Sequence, residues 1–254
     1  MKIVNKPLVE TADVSRGGES RWAQFKNLVY VVGVLVGLYF LLGYLGSWVG
    51  AHLPDRWERK LVAWVPEKTV SEDAPRREEL IFNTLTEGET LRDLNYRLFT
   101  LDMPEANAFA FPGGGIGVSD ALLEEVETEI GLAFVLAHEL GHHQNRHITR
   151  RLGRGLLLAL ASSLFGATSH LDPVQSAVNL AESGFSREQE READRFALEM
   201  IHRKYGTTDG ATEFFENLAA DGKESALQKY VGSHPLTGER LADLKAYAEE
   251  LANR

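Results

Sequence analysis

Residues 130–144 read Ile-Gly-Leu-Ala-Phe-Val-Leu-Ala-His-Glu-Leu-Gly-His-His-Gln, an apolar run that leads straight into an H-E-x-x-H pattern. On a helix, residues four apart share one face, so His138 and His142 can present ring nitrogens to one zinc ion. Glu139 then stands beside the metal, placed to act on its bound water rather than to bind the ion. Thr128 can cap this helix, which is expected to run to about Asn145. The unbroken apolar run before His138 predicts a helix that carries the site into a core, not a surface helix with two incidental histidines. His143 falls about 100° off the metal face. His147 lies too far along, and His52, His170 and His202 have no partner pattern, so none of these is expected to ligate.

A catalytic zinc takes a third protein ligand and keeps one position open for water. The chain has no cysteine, which leaves Asp, Glu or His for that role and excludes a disulfide framework, a thiol nucleophile and a lipidated N-terminal Cys. The stretch Ser186-Arg187-Glu188-Gln189-Glu190-Arg191-Glu192-Ala193-Asp194 reads as a capped helix. Glu190 and Asp194 are four apart and can both face the H-E-x-x-H helix. Glu190 could then ligate zinc, while Asp194 accepts an N–H from a ligating histidine and fixes its tautomer. Glu188 and Glu192 fall on another face and read as solvated.

Working outward, the N-terminal side is dominated by Leu28 to Gly50, a run of 23 residues without a charged side chain. That is enough to cross a hydrocarbon core of ~30 Å at ~1.5 Å per residue. Its length, and the extended basic leader before it, favour a retained anchor over a cleaved signal peptide. Lysines and arginines flank the run on both sides, and Lys2 and Lys6 tip the balance towards an N-terminus inside and a catalytic domain outside. Gly33 and Gly37 form a small-xxx-small pair that could pack two copies of the helix into a homo-oligomer. The net charge of -10 argues against nucleic acid as a partner.

The expected organisation is a cytoplasmic segment at 1–26, a transmembrane anchor at 27–51, a proline-punctuated connector at 52–75 and a catalytic domain at 76–254. Within that domain, residues 76–85 read as a helix and 96–118 as short strands around a PGGG turn. Ser119 caps a short helix from Asp120, and further helices are expected at 150–165, 172–182, 187–203, 209–220 and 237–252. The apolar stretch 155–167 is too short to span a bilayer and reads as a buried core helix, or alternatively as a segment that dips into the membrane surface. Asn107, at the start of an edge strand, reads either as a residue that fixes substrate backbone or an oxyanion, or as a turn residue. The fold class is mainly α with one small β-sheet.

Four segments in order, NAFAFPGGGIGVSDALL at 107–123, VLAHELGHHQNRH at 135–147, SREQEREAD at 186–194 and SHPLTGERLADL at 233–244, together resemble one family. It is the family of membrane-associated zinc metallopeptidases that includes HtpX, the CAAX prenyl proteases and BepA-type proteases. The resemblance implies a zincin-like domain holding one Zn2+ per chain through His138, His142 and Glu190, with Glu139 as catalytic acid/base. It also implies a role for His234, either closing the fourth zinc position or stabilising the developing oxyanion; a loop-capping role is the ordinary alternative. The expected function is a zinc metalloendopeptidase of the bacterial inner membrane, facing the periplasm. Its expected substrates are unfolded or damaged membrane and exported polypeptides, bound as an added strand beside residues 107–111. The rival reading is a zinc-bound but inactive chaperone-like binding protein. The single span departs from HtpX and the CAAX proteases, and the missing N-terminal Cys departs from lipid-anchored relatives.

Overall fold

A computed structural model describes residues 20–61, 75–164, 184–212, 232–235 and 237–254. The chain divides into two units, 1–41 and 42–254. In the first, α1 (Arg21–Ala51) begins seven residues before Leu28, the start of the charge-free run. Its apolar side chains from Leu28 to Leu41 are largely exposed, and by length and composition it is a helix able to cross a membrane. Gly33 and Gly37 have open space around them.

In the second unit the last turns of α1 pack against α6 (His147–Leu164). A Cβ on Gly46 would stand 2.4 Å from the Gly153 carbonyl oxygen, and one on Gly50 2.0 Å from that of Thr149. Close helix packing therefore falls at Gly46, Gly50 and Gly153. Leu156 of α6 is 51% exposed, so the 155–164 part of the apolar stretch is not the uniformly buried core helix expected.

The connector contains a short helix that the sequence reading did not anticipate, α2 (Asp55–Leu61). Glu58 from α2 is fully buried; it pairs with Arg92 and accepts the Gly113 N–H. Arg92 also donates to Asp55 at 2.7 Å and to the His143 carbonyl at 2.6 Å. Arg146 adds a 2.9 Å bond to Asp55. A polar network thus ties α2 to the turn of the sheet and to the end of the active-site helix.

Helix α3 (Arg77–Thr86) supplies Ile81, Phe82 and Leu85 to the core. Three strands follow, β1 (Arg97–Leu101), β2 (Ala108–Phe111) and β3 (Gly115–Ser119), in the order β1-β3-β2. β1 is parallel to β3 and β2 antiparallel to it, leaving β2 as an edge among the described residues. The turn between β2 and β3 has φ of 89° at Gly113 and 105° at Gly114, which L side chains rarely adopt. Gly114 also lies so close to the Asn95 carbonyl that a Cβ would stand 2.8 Å from it.

Ser119 caps α4 (Asp120–Glu125), and Thr128 caps α5 (Glu129–Gln144). The side chains of α5 are buried from Leu132 to His143, with Leu132, Phe134, Leu136 and Leu140 fully so. Ser186 forms a capping box with Gln189 at the start of α7 (Arg187–Tyr205), which ends on Gly206 with φ of 71°. Thr237 caps α8 (Gly238–Ala252). The core is shared by α3, α5, α7, α8 and the sheet, so the chain is mainly helical with one small sheet, as expected. The helix expected at 172–182 lies outside the described residues. The one expected at 209–220 is described only to residue 212, where the chain is in turns.

Candidate metal centre

The site forms where α5 meets α7. Their backbones touch at Gly141: a Cβ there would stand 2.9 Å from Cα of Ala193. This close approach is what the glycine of the HELGH segment permits, and it sets the Glu190 and Asp194 side chains against the two histidines.

Nε2 of His138 is 3.1 Å from Nε2 of His142 and 3.2 Å from Nδ1 of His234. Glu190 oxygens lie 3.5 Å from His138 Nε2, 3.7 Å from His142 Nε2 and 3.3 Å from His234 Nδ1. All four side chains are buried, and their donor atoms lie within 4.8 Å of one another. In a tetrahedral site with bonds of ~2.0–2.1 Å, ligand atoms are ~3.3 Å apart. The donor set therefore fits a metal ion by chemistry and by spacing. Buried ring nitrogens facing one another at 3.1 Å also require a cation or a proton between them.

Glu139 is fully buried, and neither of its carboxylate oxygens has a hydrogen-bond partner among the described residues. Its Oε1 is 3.4 Å from His234 Nε2. Burial pushes its carboxyl pKa up from the ordinary value, against the pull of His234 and His138. Burial also raises Glu190, but His234 and His138 outweigh it and hold that carboxyl far below its usual range. His142 is driven well below its ordinary value by burial, so it is neutral and able to ligate. Burial pulls His138 down too, but hydrogen bonds to Asp194 and Glu190 hold it at about 9 when no metal competes.

Asp194 lies 2.9 Å from His138 Nδ1, where the sequence reading put it. A residue missed by that reading completes the arrangement. Arg240 of α8, only 5% exposed, grips both Asp194 oxygens at 2.7 Å and reaches Glu190 at 2.7 Å. Its Nη1 also donates to the carbonyls of His234 and Pro235 at 3.3 Å, pinning the loop that delivers His234. Arg240 sits in an ordinary amphipathic pattern, and only the 46-residue jump to Asp194 reveals its role.

Asn107 is buried just before β2. Its N–H donates to the Ser119 hydroxyl, its carbonyl accepts the Ser119 N–H, and its Oδ1 has no partner among the described residues. His143 points away from the centre, as expected; its Nε2 donates to the Gly115 carbonyl at 3.0 Å. His52 donates to the Trp48 carbonyl.

His147 lies outside the donor cluster, but it has partners: its Nδ1 is 2.9 Å from His142 Nδ1, and its Nε2 is 2.7 Å from Glu192. One expectation needs correction. Glu192, read as solvated, is only 42% exposed in its side chain and receives that bond, whereas Glu188 is exposed. The helix through 144 breaks at Asn145 and Arg146, the latter with φ of 59°, and α6 restarts at His147. The reversal folds His147 back onto His142, which helical spacing along α5 does not foresee.

A helix pair presenting two histidines, a glutamate and an adjacent carboxylate without a hydrogen-bond partner defines a metallopeptidase-type centre. The chain belongs to peptidase family M48, whose family model matches residues 76–248. The beta-barrel assembly-enhancing protease of Escherichia coli (strain K12) is 28% identical over 171 residues, covering 61% of this chain and 35% of that protein. The mitochondrial metalloendopeptidase OMA1 of Schizosaccharomyces pombe is 31% identical over 172 residues, 63% of this chain and 49% of the relative. Metalloprotease LoiP of Escherichia coli (strain K12) is 28% identical over 180 residues, 67% of this chain and 69% of that one. The chain thus spans between about a third and a half of the first two relatives.

Proposed function

We propose that this chain is a membrane-anchored zinc metalloendopeptidase whose zinc is held by His138, His142 and Glu190. The observation that carries the reading is the buried donor cluster with the Glu139 carboxylate, free of hydrogen bonds among the described residues, beside it. Zinc bound by these residues would supply Lewis acidity, which would polarise the scissile carbonyl and lower the pKa of water towards ~7. Glu139 takes the proton of the attacking water and returns it to the leaving amine, from a buried carboxylate that no hydrogen bond among the described residues holds back. Asp194, itself gripped by Arg240, orients His138. Substrate backbone adds as a strand along the free edge of β2, with Asn107 at its end.

His234 fills the fourth donor position, which supports a latch that must swing away before substrate enters. Residues 27–51 act as the anchor in a bacterial inner membrane, with 1–26 cytoplasmic, 52–75 a juxtamembrane connector and 76–254 catalytic towards the periplasm. Gly33 and Gly37, open on the helix surface, offer a face for a second copy. The substrates are unfolded or damaged membrane and exported polypeptides. A bacterial relative named for enhancing beta-barrel assembly fits that class, and strand addition tolerates varied side chains.

Metal content and casein cleavage measured on one preparation test the reading. About one zinc per chain with chelator-sensitive cleavage is expected. Zinc without cleavage marks a chaperone-like binding protein, and no zinc removes the proposal.

A further inference from the structure

The two histidines of the cluster are supported differently. His138 has a carboxylate, Asp194, at its outer nitrogen. His142 has another histidine, His147, and behind it Glu192 of α7. Two imidazoles can share a hydrogen bond only if one nitrogen carries the proton and the other offers its lone pair. With His142 Nε2 turned to the donor cluster, its proton must sit on Nδ1. His147 Nδ1 must then accept, which leaves the His147 proton on Nε2, aimed at Glu192 Oε2 at 2.7 Å. Every position in the line is satisfied by one tautomer of each ring. Phe185 adds a second restraint, stacking on the His142 ring at 3.6 Å between centroids and 15° between planes.

We propose that His147 and Glu192 are positioning residues that fix the tautomer and ring orientation of His142, so that its Nε2 lone pair is held ready for the metal. The pair acts from one side only. His147 is fully buried and the Glu192 side chain is 42% exposed, so the line of hydrogen bonds runs from the donor cluster out to the surface of the fold. The inference rests on the reading of His142 as a metal ligand.

The test is zinc affinity by competition with a fluorescent chelator, on the full-length protein in detergent. Proteins to compare are wild type, His147→Phe, His147→Asn and Glu192→Ala. His147→Phe keeps a ring and removes the acceptor; binding should weaken ~10- to 100-fold, the usual effect of losing such a partner. His147→Asn puts an amide oxygen near the place of Nδ1 and should recover part of that loss. Glu192→Ala lies at a part-exposed position that the fold tolerates and should weaken binding in the same direction but less. Thermal unfolding of the metal-free proteins separates positioning from structure, since a positioning role lowers zinc affinity while leaving the apo melting temperature of Glu192→Ala unchanged. If wild type binds zinc and both Glu192→Ala and His147→Phe bind it equally well, the inference is overturned. If wild type binds no zinc, the metal reading itself fails.

Discussion

Arg240 meets Asp194 through two 2.7 Å hydrogen bonds, Nε to Oδ2 and Nη2 to Oδ1, with both side chains 5% exposed. The same guanidinium reaches Glu190 at 2.7 Å. One cation therefore stands behind two buried carboxylates, one facing a histidine and one inside the donor cluster. Removing the cation takes a shared counter-charge from both anions and leaves them only the histidines; breaking a buried pair costs about 3–5 kcal/mol.

Arg240→Ala is therefore expected to lower the stability of the metal-free protein by about 3–5 kcal/mol. Bound zinc should restore part of the loss, since the ion supplies positive charge to Glu190. Denaturant unfolding with and without zinc reads both effects. Equal losses in the two states would remove the electrostatic explanation.

His234 sits 3.2 Å from His138 and 3.3 Å from Glu190, inside the donor set. As a latch, it competes with water, and apparent activity falls by the closed fraction. His234→Ala should then raise basal cleavage of an unstructured peptide. If His234 instead stabilises the oxyanion, the same change should lower turnover by ~100- to 1,000-fold, about 2.7–4 kcal/mol. The sign of the change in kcat decides, and a fall rejects the latch.

Gly46 and Gly153 leave no room for a side chain between α1 and α6. Gly46→Val should separate the two helices and destabilise the folded unit by about 1–3 kcal/mol, as overpacking does. Gly33→Val, in open space, should leave unfolding unchanged. Thermal melts of the two variants in detergent test the contrast. Equal melting temperatures contradict the tight crossing.

Asp55 has its carboxyl pKa lowered below 3.8 because the hydrogen bonds and charges of Arg92 and Arg146 outweigh burial, which acts the other way. A depressed folded value means that the stabilisation is complete above the unfolded pKa and is lost as pH falls through the folded one. Wild type should therefore lose stability below about pH 4 more steeply than Asp55→Asn, which has nothing to titrate there. Parallel curves from pH 6 to 2 would show that the network around α2 contributes no such linkage.

The H-E-x-x-H spacing and the apolar run before it were enough to place α5 and its two histidines, because helical periodicity is local. Glu190 and Asp194 were legible for the same reason, as a four-residue pair on a capped helix. Arg240 was not, since its partners lie on another element and amphipathic spacing in α8 gives no sign of them. His147 was hidden by the break at Arg146: extrapolating α5 turns it away, while the αL residue turns the chain back. Glu58 was equally obscure, a charged residue in a connector that tertiary pairing with Arg92 draws fully inside.

Glu139 provides the most direct test, since it is proposed to move the proton without holding the metal. Full-length wild type and Glu139→Gln should be assayed side by side for bound zinc by elemental analysis and for cleavage of an unstructured peptide. About one zinc per chain is expected in both, with cleavage lost by several orders of magnitude only in Glu139→Gln. Substantial cleavage by the zinc-loaded variant would contradict the proposed mechanism.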